Sequence, residues 1–182
     1  MLAIQGDFQL HIDMFERLDR ESIFVKKEGQ LDQVDRLIIP GGESTTIQLL
    51  IDEHRLREPL IEFGRTNPIW GTCAGTILLS GAVDDERIKP LRLIDIEVSR
   101  NAYGRQIDSF IDSGTISIDG EVREFEMVFI RAPRIIKTAT KVEAIGYLGD
   151  EITAARQGRI LVSTFHPELT DDPALHEFFL TL

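Results

Sequence analysis

The stretch Ile69-Trp70-Gly71-Thr72-Cys73-Ala74-Gly75 constrains this chain more than any other. An apolar run stops at a glycine-bracketed cysteine, and a small-residue and aliphatic helix start, Ala74 to Leu79, follows at once. Strand, G-x-C-x-G, helix is the cysteine counterpart of a nucleophile elbow. A strand that turns sharply into a helix holds the turning residue in strained backbone, so its neighbours must carry little side-chain bulk. Gly71, Ala74 and Gly75 meet that demand. A helix beginning at Ala74 would aim its positive end at the sulfur and favour thiolate. Its free N–H groups would face any oxyanion formed there. A lone cysteine is ordinarily a small buried hydrophobe, and the glycine bracket after an apolar strand is what argues for reactivity here.

An elbow of this kind belongs to an α/β layer, and the first half of the chain reads that way. Leu2 to Gln5 and Ser22 to Val25 are expected as short strands, with a helix between them carrying Phe8, Ile12, Phe15 and Leu18. Arg36 to Ile39 runs apolar into Pro40-Gly41-Gly42, the pattern of a parallel strand buried on both faces. Ser44 opens a helix with Ile47, Leu50 and Ile51, and Pro68-Ile69-Trp70 leads into the elbow. From Leu91 onward strands dominate: 91–98, 114–118, 124–130, 142–147, 152–156 and 159–165, with turns at Gly149-Asp150 and Gln157-Gly158. Asp172 to Leu182, with Pro173 in its first turn and Leu175, Phe178 and Phe179 on one face, is a closing helix. The expectation is an α/β fold with an added antiparallel section, residues 1–182 forming one domain without linker or repeat.

Composition removes several function classes. At 182 residues, 42% hydrophobic and 28% charged, the chain suits a soluble globular domain. A net charge of −11 opposes non-specific binding to nucleic acid or to an anionic membrane surface. No stretch approaches the roughly 20 apolar residues of a membrane helix. The start, Met1-Leu2-Ala3-Ile4-Gln5-Gly6-Asp7, lacks the pattern of a signal peptide. One cysteine permits no internal disulfide and suits a reducing compartment, so a cytoplasmic protein is expected. No metal-ligand spacing, phosphate loop or dinucleotide fingerprint is present, and no metal or cofactor is expected.

A second motif supplies the cysteine with partners. Leu161-Val162-Ser163-Thr164-Phe165-His166-Pro167-Glu168 ends an apolar strand on a histidine. Its imidazole can take the thiol proton and later return it to a leaving amine. Glu168, two residues beyond across a proline, can hold the other ring nitrogen, the part a carboxylate plays in triads. Alone, His166 would be a strand-end histidine and Glu168 a solvated turn residue. Joined to the elbow, the triplet is hard to attribute to chance. His54, in His54-Arg55-Leu56-Arg57, and His176, on the last helix, are expected to be exposed, and His11 on the first helix is left without a role.

Together these segments resemble the class I, or triad, glutamine amidotransferases. More narrowly they resemble the glutaminase subunits of pyridoxal 5′-phosphate synthase. The narrower likeness rests on Pro40-Gly41-Gly42-Glu43-Ser44-Thr45-Thr46, on Arg100 to Phe110, on Phe129-Ile130-Arg131-Ala132-Pro133, and on Phe165 to Thr170. The resemblance implies a flavodoxin-like α/β sandwich that hydrolyses L-glutamine to L-glutamate and ammonia. Cys73 would carry a glutamyl thioester, with His166 as base and then acid and Glu168 as orienter. It implies glutamine recognition by Gly42, Glu43, Ser44, Arg100, Ile130 and Arg131, with Gly42 and Ala74 forming the oxyanion hole. A guanidinium is apt chemistry for the substrate's α-carboxylate. It also implies a partner, a separate (β/α)₈ synthase subunit in a hetero-oligomeric complex. That subunit would receive ammonia through an internal route and switch the glutaminase on. Against the pattern, the first strand is short, with only Met1 to Ile4 before Gln5-Gly6, and should cost stability. Trp70 replaces a smaller apolar residue, and the stretch 84–90 lacks the usual Gly-Leu pattern.

Two other readings compete. A non-catalytic interaction protein on the same fold is disfavoured by the intact Cys73, His166 and Glu168. A stand-alone cysteine hydrolase on a related sandwich is disfavoured by the Pro-Gly-Gly-Glu-Ser and Phe-Ile-Arg-Ala-Pro segments.

Overall fold

The computed structural model describes residues 1–100 and 109–182. Its helices are α1 (Phe8–Arg17), α2 (Ser44–Glu53), α3 (Arg57–Thr66), α4 (Ala74–Leu79) and α5 (Ala174–Thr181). Its strands are β1 (Leu37–Ile39), β2 (Ile69–Thr72), β3 (Ser80–Val83), β4 (Ile94–Ser99), β5 (Ser109–Ile118), β6 (Glu121–Ile130), β7 (Arg134–Thr138), β8 (Glu143–Leu148), β9 (Glu151–Gln157) and β10 (Ile160–Ser163). Short 3₁₀ turns occupy Glu28–Gln33 and Pro167–Leu169.

The central sheet runs β1-β2-β10-β9-β8-β5-β6. β1, β2 and β10 are mutually parallel, and from β9 onward each neighbour is antiparallel. A second sheet, β3-β4-β7, lies against β9 and is tied to it by a paired contact between Asp95 and Gln157. Parallel strands buried on both faces need apolar side chains at every position, and alternation along them sorts those residues into two cores. Leu37, Ile39, Ile69, Ile160 and Val162 pack with α2, α3 and α4. Ile38, Trp70 and Leu161 face the opposite layer, with Ile12 and Phe15 of α1 and Leu175, Phe178 and Phe179 of α5. Three layers result, and the flavodoxin-like α/β sandwich expected from the sequence is present.

Several local expectations need correction. The runs at 2–5 and 22–25 do not form strands but meet in a single parallel bridge, Leu2 to Val25. Leu2 N donates to Ile38 O at 2.9 Å and Ala3 N to Val25 O at 2.9 Å, so the segment still extends the sheet beyond β1. The strand expected from Leu91 begins only at Ile94, because Arg92 takes φ +58° and breaks the extended run. α3, β3 and β7 were not expected. α3 carries a periodic apolar face, with Leu60 buried and Ile61 and Phe63 against the same core, whereas β7 has one buried residue, Ile135, and no such face. Trp70 is fully buried, and its indole N–H donates to Ser163 Oγ at 3.2 Å. That bond spares a buried donor left unpaired, which would cost about 1–3 kcal/mol.

The elbow itself is held by close backbone approach. A Cβ on Gly75 would come within 2.0 Å of Ile39 O, so α4 can lie directly on β1 only with glycine there. Replacing Gly75 by alanine should therefore destabilise the fold by at least the ~1–3 kcal/mol typical of overpacking. Urea unfolding of Gly75→Ala beside wild type measures this, and an unchanged midpoint would contradict it.

Candidate active site

The three parallel strands deliver the site residues from their carboxyl ends, the usual place for ligands in open α/β sheets. Gly42, Glu43 and Ser44 follow β1, Cys73 follows β2, and His166 follows β10. Cys73 adopts φ +47°, ψ −103°, a conformation that costs a non-glycine residue on the order of 1–3 kcal/mol. Its N–H donates to Ser163 O at 2.8 Å, and the same carbonyl accepts Thr76 Oγ1 at 2.7 Å. The strained turn is thereby pinned to the strand that carries His166.

Cys73 Sγ lies 3.8 Å from Ile130 O, and only 5% of the residue is exposed. His166 lines the cavity beside Cys73, which favours its charged form, and its Nδ1 meets Glu168 Oε1 at 2.7 Å. Gly41 leaves room for the imidazole, since a Cβ there would sit 2.4 Å from His166 Cε1. Burial alone would lower the His166 pKa. The hydrogen bonds and charges of Cys73 and Glu168 outweigh it and raise the value to about 10. Burial works against ionisation of Glu168 as well, but His11 and His166 pull its pKa below the ordinary value. The pair is thus imidazolium and carboxylate at neutral pH.

A cavity of about 260 Å³ opens over this group. Gly42, Glu43, Ser44, Cys73, Ala74, Arg100, Ile130, Arg131 and His166 all line it, so every residue singled out in the sequence except Glu168 reaches it. Glu168 stands behind His166 with its side chain fully buried. Glu43 caps α2, accepting Thr45 N and Thr46 N. Burial opposes its charge, but the Thr45 and Thr46 hydrogen bonds prevail and hold its pKa near about 2. Arg100 forks between Glu43 and Asp85, the latter at 2.8 Å. Residues 101–108 of the Arg100-to-Phe110 motif lie outside the described residues. A larger hollow of about 470 Å³, bordered by Arg20, Arg36 and Phe179, sits at the opposite end of β1 and contains none of these groups. Among the described residues, no group of three or more acidic, His or Cys side chains is placed to hold a metal ion. No helix among them is long and apolar enough to cross a membrane.

The sequence matches the SNO glutamine amidotransferase family over residues 1–182. The chain belongs to that family. It is 50% identical to the pyridoxal 5′-phosphate synthase subunit PdxT of Chloroflexus aurantiacus over 187 residues, covering all of this chain and 98% of the relative. Identity to the subunit of the same name from Francisella tularensis subsp. novicida is 45%, covering 100% and 97%. A crystal structure of a glutamine amidotransferase superposes with a TM-score of 0.91 at 40% identity, over 99% of this chain and 95% of that one.

For this amidotransferase fold the sequence pattern did not single out five of the described residues at the site. Gln5, Asp7 and Ile77 line the cavity, and Gln5 Oε1 accepts the Glu43 N–H at 3.0 Å. His11 and His176 are both fully buried, and their rings meet at 2.9 Å between Nδ1 of His11 and Nε2 of His176. The expectation of an exposed His176 is therefore wrong, whereas His54 is exposed as expected. α5 buries a stripe wide enough to include His176, which packs edge-on to Trp70 and Phe15. Helical spacing held the signal for His11, since positions 8, 11, 12 and 15 share one face.

Because Cys73 and Glu168 both raise the His166 pKa, removing either should lower it. Nitrogen-15 NMR titration of the imidazole should give about 10 in the wild type and lower values in Cys73→Ala and Glu168→Gln. A wild-type value near the ordinary 6.5, unmoved by either change, would contradict the arrangement.

Proposed function

We propose that this chain is the ammonia-producing subunit of a pyridoxal 5′-phosphate synthase, with residues 1–182 acting as one glutaminase domain. The observation that carries the reading is the convergence of Cys73, His166, Glu43 and Arg100 on one amino-acid-sized cavity in a member of a glutamine amidotransferase family. Free glutamine has an α-ammonium for the ionised Glu43 and an α-carboxylate for Arg100. Its carboxamide then points toward Cys73.

The chemistry is acyl transfer through a thioester. Cys73 Sγ attacks the carboxamide carbon, and the carbonyl oxygen becomes an oxyanion received by the N–H groups of Ala74 and Gly42. The first N–H groups of a helix have no intrahelical acceptor, which leaves Ala74 available. His166 gives its proton to the departing nitrogen, the C–N bond breaks, and ammonia leaves a γ-glutamyl thioester on Cys73. Water then attacks the thioester while His166 takes a proton from it. Glutamate departs and the sulfur is restored. Glu168 keeps the ring oriented and stabilises imidazolium through both halves. The Ile130 carbonyl lies beside the sulfur, and Ser44 and Arg131 line the same cavity.

Ammonia released into neutral water becomes ammonium and loses its nucleophilicity, so the product needs a sheltered path to its acceptor. The partner in this reading is the (β/α)₈ synthase subunit that the sequence resemblance implies, and the relatives are named as subunits of a pyridoxal 5′-phosphate synthase. A lone cysteine used as nucleophile belongs in the reducing cytoplasm.

Glutamate release from L-glutamine, measured with and without the synthase subunit, tests this. Turnover that depends on the partner and vanishes in Cys73→Ala is expected. Hydrolysis of peptides with glutamine ignored, or binding without turnover, would contradict it. Arg100→Ala should raise KM for glutamine by about 10- to 100-fold, the scale of a lost charge-assisted hydrogen bond, while kcat changes far less.

A further inference from the structure

Behind the triad lies a buried polar chain that the reaction as described leaves unused. Glu168 gives one oxygen, Oε1, to His166. Its other oxygen, Oε2, has no hydrogen-bond partner of ordinary geometry among the described residues, and His11 Nε2 faces it at 3.3 Å. His11 Nε2 also lies 3.3 Å from Thr72 Oγ1, which itself accepts the Gly41 N–H at 3.0 Å. On its far side His11 Nδ1 meets His176 Nε2, and His176 Nδ1 has no partner among the described residues. His11, His176 and the Glu168 side chain are all shut off from solvent.

Two proton arrangements are open to the neutral pair, and they differ sharply in cost. In one, His176 Nε2–H donates to His11 Nδ1 and His11 Nε2–H points at Glu168 Oε2. Both ring N–H groups that join the chain then have acceptors; left over are the lone pair of His176 Nδ1 and the hydroxyl proton of Thr72, whose oxygen already accepts the Gly41 N–H. In the other, His11 Nδ1–H donates to His176, which must carry its own proton on Nδ1. That leaves the His176 N–H without an acceptor, and although the Thr72 hydroxyl can then donate to His11 Nε2, a lone pair faces Glu168 Oε2 in place of a donor. Each arrangement leaves one buried donor short, but a second buried carboxylate oxygen without a donor is the costlier defect. The carboxylate decides for the first arrangement. Burial lowers the pKa of both histidines, which keeps them neutral and the tautomer question meaningful.

We infer that His11 is a positioning residue of the glutaminase centre. Held in its Nε2–H form by His176, it donates to the second oxygen of Glu168 and so fixes the carboxylate that orients His166. The inference rests on the glutaminase reading for its catalytic consequence, but the hydrogen bond itself does not. Trp70 belongs to the same arrangement. Its ring lies edge-on to both histidines, with centroids 5.6 Å from His11 and 4.9 Å from His176. It thus walls the pair off from water, which accounts for a bulky residue just ahead of the elbow. His11 is a positioning residue, and its effect on the reaction is assigned to Glu168, although its Nε2 also lies by Thr72 Oγ1.

Long-range nitrogen-15 NMR of the imidazoles in the full chain reads the tautomer directly. The four histidines of the sequence are assigned from single variants. A proton on His11 Nε2 is expected, and one on Nδ1 would overturn the inference whatever the activity. With the synthase subunit present, His11→Leu should lower kcat on the order of 10- to 100-fold, as when a catalytic group is held loosely, with KM unchanged. His11→Gln carries an N–H about as far from the backbone as Nε2 and should recover most of that loss. Equal losses in both variants would mean that His11 only fills space, and would sink the proposal. His176→Phe keeps an aromatic ring against Trp70 but removes the lock. It should populate the Nδ1–H form of His11 and lower kcat in the same direction, and an unchanged His11 spectrum would count against the lock. A wild type that makes no glutamate would refute the functional reading, while the tautomer would still decide whether His11 holds Glu168.

Discussion

The carbonyl of Ser163 is the point on which the site depends. It accepts the N–H of Cys73 and the hydroxyl of Thr76, so one oxygen at the end of β10 fixes both the strained turn and the first turn of α4. Three residues later the chain leaving β10 supplies His166. Cys73 and His166 are therefore placed side by side by local bonds between adjacent parallel strands. A positive φ at a non-glycine residue persists only when its surroundings over-determine it. Here the two Ser163 contacts, the bulk-free Gly71 and Gly75, and the buried Ile39 carbonyl beneath α4 do so together.

The electrostatics follow from that geometry. A histidine buried among apolar groups would shed its proton, yet His166 keeps it because Cys73 and Glu168 flank it. Glu168 in turn stays ionised against its own burial because the His11 and His166 rings face it. The fully buried pair His11 and His176 would be an odd expense in a core unless it served that carboxylate. On the cavity side, Glu43 is charged and preorganised by the N-terminus of α2, and Arg100 is held within reach by two acidic side chains. On the proposed reading, these opposite charges meet the two ends of the amino-acid substrate.

Much of this was legible in the sequence, for physical reasons. Strands buried on both faces must be continuously apolar, so Leu37 to Ile39 and Ile160 to Val162 announced themselves. A strained nucleophile must be bracketed by small residues, so Gly71, Ala74 and Gly75 did too. What stayed hidden lacked such a requirement. β7 buries little and relies on neighbours far along the chain, so its own residues show weak periodicity; α3, by contrast, carries an apolar face that was legible. Leu2 and Val25 carry apolar runs too brief to reveal that they meet in one bridge rather than two strands. His176 was misjudged because a polar side chain was read as a surface residue, when a partner 165 positions away satisfies it. Pairing across that distance leaves no local trace in composition.

The central claim is that Cys73 carries the glutamyl group. Acid-quenched mass spectrometry of the chain during turnover of L-glutamine, with the synthase subunit present, tests it most directly. The account predicts a γ-glutamyl adduct on the peptide containing Cys73, discharged by hydroxylamine. Steady glutamate release with no adduct on Cys73, or with the adduct on another residue, would contradict it.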